Sequence, residues 1–408
     1  FINRYFHPDH SATSQLLSDL AFGLADRGWD VEVLTSRQTY GDPRAPLAEE
    51  EKVAGVQIRR LGTTRFGRQH LGGRLLDYLS FHARVYWQLR RDEREVVVAM
   101  TDPPLIGTTA ALALHGAQSR LVLWSQDLFP EVAFVDLLKG SLGIRRILEW
   151  LRDLALERSA EVVVLGERMR ERVMEIALRR AGSGAPHRRI PPLRIIENWA
   201  LDESVASGVD ERERFGLADE HFVVGYSGNF GRVHEFRTIL DAAIALEDEP
   251  RIRFLMTGGG PRYPFVRSFV REHGLENVIL GPYQPRETLG AILATADVHL
   301  ISLGPGYEGL VVPSKFYGIA AAGRPTLYVG LREGDVARLI ERHDCGIVIK
   351  PGDSRQLTAT ILDLSCRAER ARKMGANARD AWQRNWTKEV AIERWEAFLN
   401  RMSVHRSI

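Results

Sequence analysis

A glycine-rich segment in the second half of the chain carries groups that could bind a phosphate. Residues 227–232 (SGNFGR) follow an apolar run at 222–226 and precede an amphipathic stretch that begins near Phe236. Glycines at a strand-to-helix junction let the backbone approach an anion closely, while an Arg guanidinium and a helix N-terminus supply hydrogen-bond donors. We therefore expect a diphosphate site, although turn geometry alone also explains the glycines. The candidate residues are Gly228, Asn229, Gly231 and Arg232.

A second glycine cluster, Gly258-Gly259-Gly260-Pro261, follows the next predicted strand at 252–256. Parallel strands present their carboxyl ends at one edge of a sheet, so Gly259 is expected beside the first cluster. Two adjacent glycine turns strengthen the prediction of an anion site.

A third segment, residues 308–315 (EGLVVPSK), ends in a hydroxyl residue and one of the six lysines of the chain. Pro313 and Ser314 predict the start of a helix, and residues 323–325 (GRP) predict its end. This arrangement directs helix amides, Ser314 and Lys315 at one point. Each charge-assisted hydrogen bond to an anion there would contribute roughly 1.5 to 3 kcal/mol. A capped helix with a solvated lysine is the alternative.

These segments lie in a chain whose apolar runs alternate with helical patterns. Buried strands are predicted at 31–35, 96–100, 121–124, 162–165, 222–226, 252–256, 278–280, 298–303 and 326–329. Strands separated by helices are typical of parallel βαβ units, so the predicted fold class is α/β. A stretch rich in Gly, Pro and Arg at 179–192 divides the two halves. The sequence therefore predicts two doubly wound, Rossmann-like domains that face a ligand-binding cleft.

Composition narrows the function classes. The 408 residues are 44% hydrophobic and 26% charged with a net charge of +2, which is typical of a soluble globular protein and argues against a dedicated nucleic-acid binder. The sequence shows neither an apolar run of about 18 residues nor a signal segment, so a cytoplasmic location is expected. Cys345 and Cys366 have no His or Cys neighbours at zinc-site spacing, so neither a disulfide framework nor a metal site is predicted.

The order of these and further motifs resembles the retaining glycosyltransferase family four, which has the GT-B fold, and especially its bacterial members that build exopolysaccharide and O-antigen units. The resemblance covers nearly the whole chain. The further motifs are Tyr5-Phe6-His7-Pro8-Asp9, Thr101-Asp102-Pro103-Pro104-Leu105, Gln126-Asp127-Leu128-Phe129-Pro130 and Asn198-Trp199.

The resemblance implies that the second domain holds a nucleoside-diphosphate sugar, with no metal or other cofactor. Arg232 would take the role of the diphosphate-binding Arg that follows the glycine turn in the family. Lys315 is the candidate for the second cation. Arg237 is the competing candidate, because it lies five residues after Arg232, where many relatives have Lys.

The resemblance also implies contacts to the rest of the donor. Glu308 is similar to the family glutamate that contacts the donor sugar, and the amides of Gly309 and Leu310 follow it. Tyr283 is expected near the nucleobase.

The sequence departs from the family at three places. The glutamate that holds the ribose in relatives is missing, because Phe316 and Gly318 occupy its two alternative positions. Ser11 lies where relatives often have a Gly-Gly loop close to the donor phosphate. Gln126 replaces a common His, which leaves Asp127 as the ionisable group of that loop. Asp127 is expected to contact a donor hydroxyl or orient the acceptor, with a turn-capping Asp as the alternative.

The function implied by the resemblance is retaining transfer of a sugar from a nucleoside diphosphate to a polysaccharide or polyprenyl-linked precursor. Residues 1–190 would form the acceptor domain, 191–385 the nucleotide-sugar domain and 386–408 a helix that crosses back to the first domain. Two alternatives stay open: a nucleotide-sugar-binding protein without transferase activity, and a nucleotide-sugar epimerase of the same fold.

Residues 65–94 are the candidate region for an acceptor or a membrane surface. The predicted helix has an apolar side that comprises Leu75, Leu76, Leu79, Tyr86 and Leu89. Its basic residues are Arg68, Arg74, Arg84, Arg90 and Arg91. An Arg-rich amphipathic helix is typical of peripheral attachment to an anionic membrane, here the inner membrane. An ordinary surface helix is the alternative.

Overall fold

The computed structural model describes residues 1–42, 44, 47–67, 71–136, 142–181, 190–200, 211–284 and 286–404. Much of the predicted interdomain stretch, and Arg68, lie outside these ranges. The chain forms two compact units. Unit 1 comprises residues 1–197, 309–311 and 391–408, and unit 2 comprises residues 198–308 and 312–390. The predicted domain boundaries are at 190 and 385, whereas the units divide after residues 197 and 390 and around the 309–311 segment.

Unit 1 is built on a doubly wound sheet. Its strands are β1 (Glu32–Ser36), β2 (Glu50–Val53), β3 (Val56–Leu61), β4 (Val96–Ala99), β5 (Arg120–Trp124), β6 (Glu161–Val164) and β7 (Leu193–Ile195). They form the orders β2-β3-β1 and β4-β5-β6-β7. Ile2 joins the two groups, because it pairs in parallel with both Leu34 of β1 and Ala99 of β4. Only the β2–β3 hairpin is antiparallel among these described strands.

Helices cover both faces of this sheet. They are α1 (Ala12–Asp26), α2 (Leu71–Arg91), α3 (Ile106–Ala113), α4 (Glu131–Asp136), α5 (Leu142–Arg158) and α6 (Glu167–Ala181). The helical spacing of Leu16, Leu17, Leu20, Ala21 and Leu24 buries all five side chains of α1. Helix α3 packs against α2 on one side and α5 on the other, so these three helices lie side by side.

Unit 2 contains a six-stranded parallel sheet. Its strands are β8 (Phe222–Asn229), β9 (Ile252–Gly259), β10 (Val278–Gly281), β11 (Val298–Ser302), β12 (Thr326–Val329) and β13 (Gly346–Ile349). The order is β10-β9-β8-β11-β12-β13. The direction of winding therefore reverses between β8 and β11. Ligands of doubly wound folds bind at such a switch point, outside the carboxyl ends of the strands.

The helices of unit 2 are α7 (Arg237–Ala245), α8 (Tyr263–Glu272), α9 (Arg286–Thr295), α10 (Lys315–Ala321), α11 (Asp335–His343), α12 (Ser354–Cys366) and α13 (Ala368–Asn385). Helix α14 (Lys388–Val404) follows. Residues 391–404 of α14 belong to unit 1, where the Trp395 ring lies 4.7 Å from that of Trp124. In the described part of the chain, no helix has both the length and the apolar character needed to cross a membrane.

The predicted α/β fold class with two Rossmann-like halves is confirmed. The predicted strand ends at 226 and 256 were wrong, because β8 and β9 each continue for three more residues. Gly228 pairs with Gly258 and Asn229 with Gly259, so these glycines extend the sheet instead of forming turns at that point.

Two helical glycines of unit 2 provide a test of this packing. A Cβ at Gly375 of α13 would lie 2.2 Å from the carbonyl oxygen of Gly323, whereas a Cβ at Gly318 of α10 would lie 3.5 Å from Leu293 Cδ1. We expect Gly375→Ala to lower the Tm, because relieving such overpacking costs about 1 to 3 kcal/mol. Gly318→Ala is the matched control and should keep or raise the Tm, since Ala favours a helix by about 0.5 to 1 kcal/mol. Calorimetry that gave both variants the same Tm would contradict this packing.

Candidate functional site

The carboxyl ends of β8 and β9 come together through glycine. A Cβ at Gly258 would lie 1.9 Å from the Gly228 carbonyl oxygen, and a Cβ at Gly260 would lie 2.3 Å from Asn229 Oδ1. The φ angles of Gly228, Gly258 and Gly260 are +115°, +140° and +135°. Glycine is therefore required at these positions by both space and backbone conformation. The close pairing places the Asn229 carbonyl at the edge of the sheet.

Lys315, the first residue of α10, reaches this edge. Its Nζ donates hydrogen bonds to the Tyr226 hydroxyl and, at 2.9 Å, to the carbonyl oxygen of Asn229. The Nζ also lies 3.7 Å from the centre of the Tyr226 ring. Its Cε lies 3.2 Å from the position of a Cβ at Gly228, so any side chain there would push the lysine away. The predicted proximity of Lys315 to the glycine cluster is therefore present in the structure.

The ammonium of Lys315 has neutral partners. Among the described residues, no carboxylate lies within ion-pair distance of its Nζ. Burial lowers the pKa of Lys315 well below its usual value. Burial also raises the pKa of Tyr226, so the Tyr226 hydroxyl stays protonated and cannot neutralise the lysine. A bound anion would supply the missing negative charge at the switch point.

His234 is a site residue that the sequence analysis missed. Its Nδ1 donates to the Ser302 carbonyl oxygen at 2.5 Å, at the end of β11. Burial and the nearby charge of Lys315 lower the pKa of His234 to about 3. The imidazole is therefore neutral at physiological pH, and its Nε2 carries a lone pair that can accept a hydrogen bond. Its location two residues after Arg232 was the available sequence signal.

The two candidate arginines have different surroundings. Arg232 is exposed, and it forms neither a hydrogen bond nor an ion pair with the described residues. Arg237 forms an ion pair with Asp241 at 2.8 Å and covers the ring of Phe269 at 5.2 Å. The Arg237 side chain is therefore held on the surface of α7 by protein contacts, whereas the Arg232 guanidinium is available to a ligand.

The N-terminus of α7, which the sequence analysis expected to supply donors to a phosphate, is in contact with the side chain of Glu235. The side chain of Glu235 accepts hydrogen bonds from the Thr238 amide at 3.1 and 3.2 Å. A carboxylate already occupies the first turn of this helix, and its negative charge opposes a phosphate there. Among the predicted donors at this edge, Lys315 and Arg232 have no carboxylate partner among the described residues.

Glu308 lies in the loop that leads to α10. Its Oε2 accepts the Gly306 amide at 2.8 Å, while its Oε1 is buried without a hydrogen-bond partner among the described residues. A buried carboxylate oxygen without a donor is costly, so a ligand hydroxyl at this position would be stabilised. Ser314 is the N-cap of α10, but its exposed hydroxyl makes no capping bond.

Tyr283 and Phe316, two aromatic residues of unit 2 named in the sequence analysis, differ in their exposure. The Tyr283 ring is 58% exposed and lies 3.3 Å from the position of a Cβ at Gly259. Gly231 lies close to Asn229, whose Nδ2 is 3.4 Å from a Cβ position at Gly231. Phe316 is fully buried, with its ring 5.2 Å from that of Trp386. Of the two residues at the positions that the resemblance gives to the ribose glutamate, Phe316 is therefore a core residue, and Gly318 has no side chain.

In unit 1, Asp127 follows β5 and forms an antiparallel bridge with Val311. The amide of the next residue, Leu128, donates to the Leu310 carbonyl at 2.8 Å. Gly309 has a φ of +72°, and a Cβ there would lie 2.8 Å from the Arg168 carbonyl. Backbone contacts thus hold the 309–311 segment beside the loop that follows β5. The Leu310 carbonyl is occupied by these contacts.

Asp127 is the most strongly perturbed acid of unit 1 among the described residues. Asp127 is exposed, but desolvation by the surrounding protein groups, and then the nearby charge of Asp102, raise its pKa to about 6. Asp127 also lines a mainly apolar cavity of about 80 Å³ together with Leu105 and Phe129. A carboxyl group with a pKa near neutrality can either donate or accept a hydrogen bond, which suits contact with a hydroxyl.

Ser11 is the N-cap residue of α1. Its amide donates to Asp9 Oδ1 at 2.8 Å, while its hydroxyl oxygen is buried without a hydrogen-bond partner among the described residues. The side chain makes no capping bond to α1. The Ser11 amide is therefore occupied by Asp9, and the contact of Ser11 with a donor phosphate stays a prediction.

The comparisons with known proteins agree with this geometry. Residues 13–183 match the glycosyl transferase 4-like domain, and residues 221–366 match the glycosyl transferases group 1 domain. The chain is 27% identical over 307 residues to the probable glycosyltransferase WbjE of Pseudomonas aeruginosa, which is 74% of each chain.

Two solved structures share the fold over almost their whole length. Sucrose-phosphate synthase from Thermosynechococcus elongatus has a TM-score of 0.78 at 16% identity, with 99% of both chains covered. Anabaena Alr3699/HepE in complex with UDP has a TM-score of 0.71 at 16% identity, with 98% of this chain and 99% of that one covered. In the described ranges of the present chain, no group of three or more His, Cys, Asp or Glu side chains could share a metal ion.

The raised pKa of Asp127 predicts a pH-dependent stability. The folded protein binds a proton at Asp127 more tightly than the unfolded chain, whose Asp pKa is 3.8. This stabilisation is present below about pH 4 and is lost as the pH rises through about 6. Asp127→Asn keeps the group neutral, so its Tm should exceed that of the wild type increasingly from pH 4 to 7.

Asp102→Asn is the second variant in this experiment. Removing the Asp102 charge should lower the pKa of Asp127 towards its ordinary value, so the Tm gap to the corresponding Asp127→Asn variant should be smaller and level off at a lower pH. Scanning calorimetry between pH 4 and 8 measures both effects. A Tm difference between wild type and Asp127→Asn that did not change with pH would contradict the raised pKa.

Proposed function

This chain is a glycosyltransferase of the GT-B fold, and we propose that it transfers a sugar, with retention, from a nucleoside diphosphate to a polysaccharide or polyprenyl-linked saccharide. The observation that carries the proposal is the ammonium of Lys315, which lies without a carboxylate at the switch point of unit 2. The assignment as a transferase favours this activity over an epimerase or a binding protein. The UDP complex of Alr3699/HepE makes UDP the first nucleotide to test.

The donor diphosphate is proposed to bind outside the carboxyl ends of β8 and β11. Lys315 would contact it through Nζ, and Arg232 would close over it from the loop between β8 and α7. Glu308 Oε1 would accept a hydroxyl of the donor sugar, because this oxygen has no hydrogen-bond donor among the described protein groups. Tyr283 would stack beside the base, and the ribose would be held without a carboxylate because Phe316 is buried.

The proposed reaction follows from where negative charge develops. The bond between the sugar C1 and the diphosphate oxygen breaks, and the acceptor oxygen bonds to C1 from the same face. The acceptor proton passes to the departing diphosphate oxygen. Lys315 and Arg232 stabilise the charge on the leaving group, which is the largest single contribution available without a metal or another cofactor. Asp127 would orient the acceptor hydroxyl or contact a donor hydroxyl.

Three cation variants test the donor site. We expect Lys315→Met and Arg232→Ala each to lower turnover by about a hundred- to a thousand-fold, as is typical when one preorganised charge-stabilising donor is removed. Both should also weaken UDP binding. Arg237→Ala should leave turnover within about twofold, because its guanidinium is held by Asp241 and Phe269. Calorimetric titration with UDP, followed by assays of UDP release from UDP-sugars, measures these effects.

The Arg237→Ala variant is also the control for general loss of charge. Unchanged turnover of Arg232→Ala at an unchanged Tm would remove Arg232 from the donor site. If UDP fails to bind the wild type, the same titration with GDP, ADP and dTDP decides whether another nucleotide is the donor.

The acceptor side of the proposal includes a membrane. In the first turns of α2, Leu75, Leu76 and Leu79 are each at least half exposed. The predicted apolar side was wrong in its later part, because Leu89 is buried in the core and Tyr86 is half-buried. The exposed leucines lie where α2 begins, which is near the carboxyl edge of the sheet because α2 connects parallel strands.

A second exposed apolar surface lies at the start of α5. Leu142, Ile144, Ile147 and Trp150 are each more than half exposed. Helices α2 and α5 pack on opposite sides of α3, and both begin near the carboxyl edge of the sheet. Exposed arginines such as Arg145 and Arg146 flank the apolar residues, as in helices that bind anionic membranes. We therefore propose attachment of this edge to the inner membrane.

Vesicle flotation tests this attachment. The variant Leu75→Ser/Leu76→Ser/Leu79→Ser should lose most binding to vesicles that contain phosphatidylglycerol, because each fully buried Leu contributes about 1.5 to 3 kcal/mol. Leu178→Ser is the matched control, since Leu178 is equally exposed but lies near the far end of α6. Wild-type protein that does not float with anionic vesicles would end the membrane proposal without affecting the transferase proposal.

A further inference from the structure

A second open site lies on unit 1 beside the later turns of α2. It is a groove of about 510 Å³ between this helix and the outer strands of the sheet. Its lining includes Glu50 and Arg59 from the β2–β3 hairpin, and Arg84, Trp87 and Arg91 from α2. The volume lies within the range of about 300 to 1,000 Å³ that is usual for small-molecule sites. Neither the donor site nor the loop of Asp127 uses these residues.

The helix side of the groove is regular. Arg84, Trp87 and Arg91 follow one another at spacings of three and four residues, so they lie on one face of α2. The two arginines are separated by about 10 Å along the helix, at 1.5 Å per residue. The Trp87 side chain is 62% exposed between them. An indole plane is therefore presented to solvent with a cation on either side.

Only some of the arginines that line the groove form ion pairs with carboxylates of the protein. Arg59 forms ion pairs with Glu50 at 3.2 Å and Asp92 at 2.7 Å. Arg84 and Arg91 form neither ion pairs nor hydrogen bonds with the described residues, and both are exposed. Two guanidinium groups therefore remain available to negative groups of a ligand. Guanidinium binds carboxylates well, because its planar donors match them in pairs.

The acceptors in the groove limit the class of ligand. Carboxylates from Glu49 and Glu50 and the amide of Gln88 line it together with the arginines. A phospholipid headgroup or a nucleic-acid backbone would use the arginines but would leave most of these acceptors without hydrogen-bond donors. Hydroxyl groups need both donors and acceptors, and the apolar face of a sugar ring packs well on an indole. The combination of Trp87, unpaired arginines and carboxylates suits a saccharide that itself carries acidic groups.

We propose that this groove binds an acidic saccharide, namely a stretch of the acceptor chain that contains uronate residues. This inference rests on the proposed transfer to a saccharide acceptor. The sugar chain lies across Trp87, with its carboxylates on Arg84 and Arg91, and its hydroxyls contact Glu50 and Gln88. The groove holds a growing chain outside the place where the sugar is transferred, so it raises the affinity for long acidic acceptors without changing the chemistry.

Calorimetric titration with a tetramer of galacturonic acid tests the groove, with maltotetraose as the neutral probe of the same length. We expect the wild type to bind the galacturonate tetramer, with an affinity that falls as salt is added, and to bind maltotetraose at least tenfold more weakly. Arg84→Ser/Arg91→Ser and Trp87→Ala should each weaken galacturonate binding at least tenfold. Arg146→Ser, which removes an exposed arginine of α5, is the matched control and should bind as the wild type does.

Other outcomes overturn the inference. Wild type that does not bind the galacturonate tetramer, or groove variants that bind it normally at an unchanged Tm, exclude the acidic saccharide. Phosphatidylglycerol vesicles that bind the wild type and lose affinity in Arg84→Ser/Arg91→Ser, while galacturonate does not bind, would assign the arginines to lipid.

The same variants separate this inference from the transferase proposal. Arg84→Ser/Arg91→Ser should keep the wild-type affinity for UDP and the turnover on short acceptors, while KM for long acidic acceptors rises. Loss of UDP binding by the wild type would count against the donor site alone. Loss of galacturonate binding with UDP binding intact would count against the groove alone.

Discussion

The proposed donor site of this glycosyltransferase depends on one contact, the approach of Lys315 to the carboxyl end of β8. The contact needs an extended β8 that presents the Asn229 carbonyl and the Tyr226 ring, and it needs Gly228 to leave room for the lysine. The extension in turn needs Gly258, because a side chain there would meet the Gly228 carbonyl. Residues far apart in the chain are therefore constrained by one ammonium group.

Unsatisfied polar atoms collect around the same edge of the sheet. The hydroxyl of Ser302 and Oε1 of Glu308 are buried without hydrogen-bond partners among the described residues. Folded proteins seldom leave such groups unpaired, because the cost is about 1 to 3 kcal/mol for each one. Together with a lysine that has only neutral partners, they are consistent with the proposed donor site at this edge.

The sequence predicted the architecture because parallel strands buried on both faces form apolar runs that differ clearly from amphipathic helices. It also predicted that Lys315 lies near the glycines, as the contact between Lys315 and Gly228 shows. It missed the β2–β3 hairpin, because a strand such as Glu50–Val53 is short, charged and at the edge of the sheet. It extended the apolar side of α2 to Leu89, because periodicity does not show which side of a helix faces the core.

The remaining errors concern polar side chains. The Glu235 side chain accepts a hydrogen bond from the Thr238 amide at the N-terminus of α7. Nothing in the position of Glu235 in the sequence distinguishes it from a surface glutamate. His234 lies beside Arg232 in a loop, and its contact with the Ser302 carbonyl joins elements that are 68 residues apart. Such contacts depend on tertiary structure, so a single sequence gives them no recognisable pattern. The functional roles of the site residues stay predictions until the variants are measured.

Unit 1 is built from chain segments that lie on both sides of unit 2 in the sequence. This arrangement of unit 1 also governs the order in which the protein can fold during synthesis. Its core includes Trp395, whose ring lies against that of Trp124 and which is translated after every residue of unit 2. On the ribosome, unit 2 therefore has all of its residues before unit 1 does, although unit 1 begins the chain. The core of unit 1 therefore stays incomplete around Trp124 while nearly 200 residues of unit 2 emerge from the ribosome. Unit 2 is thus complete before unit 1, although most residues of unit 1 precede it in the chain, which reverses the usual order of domain completion.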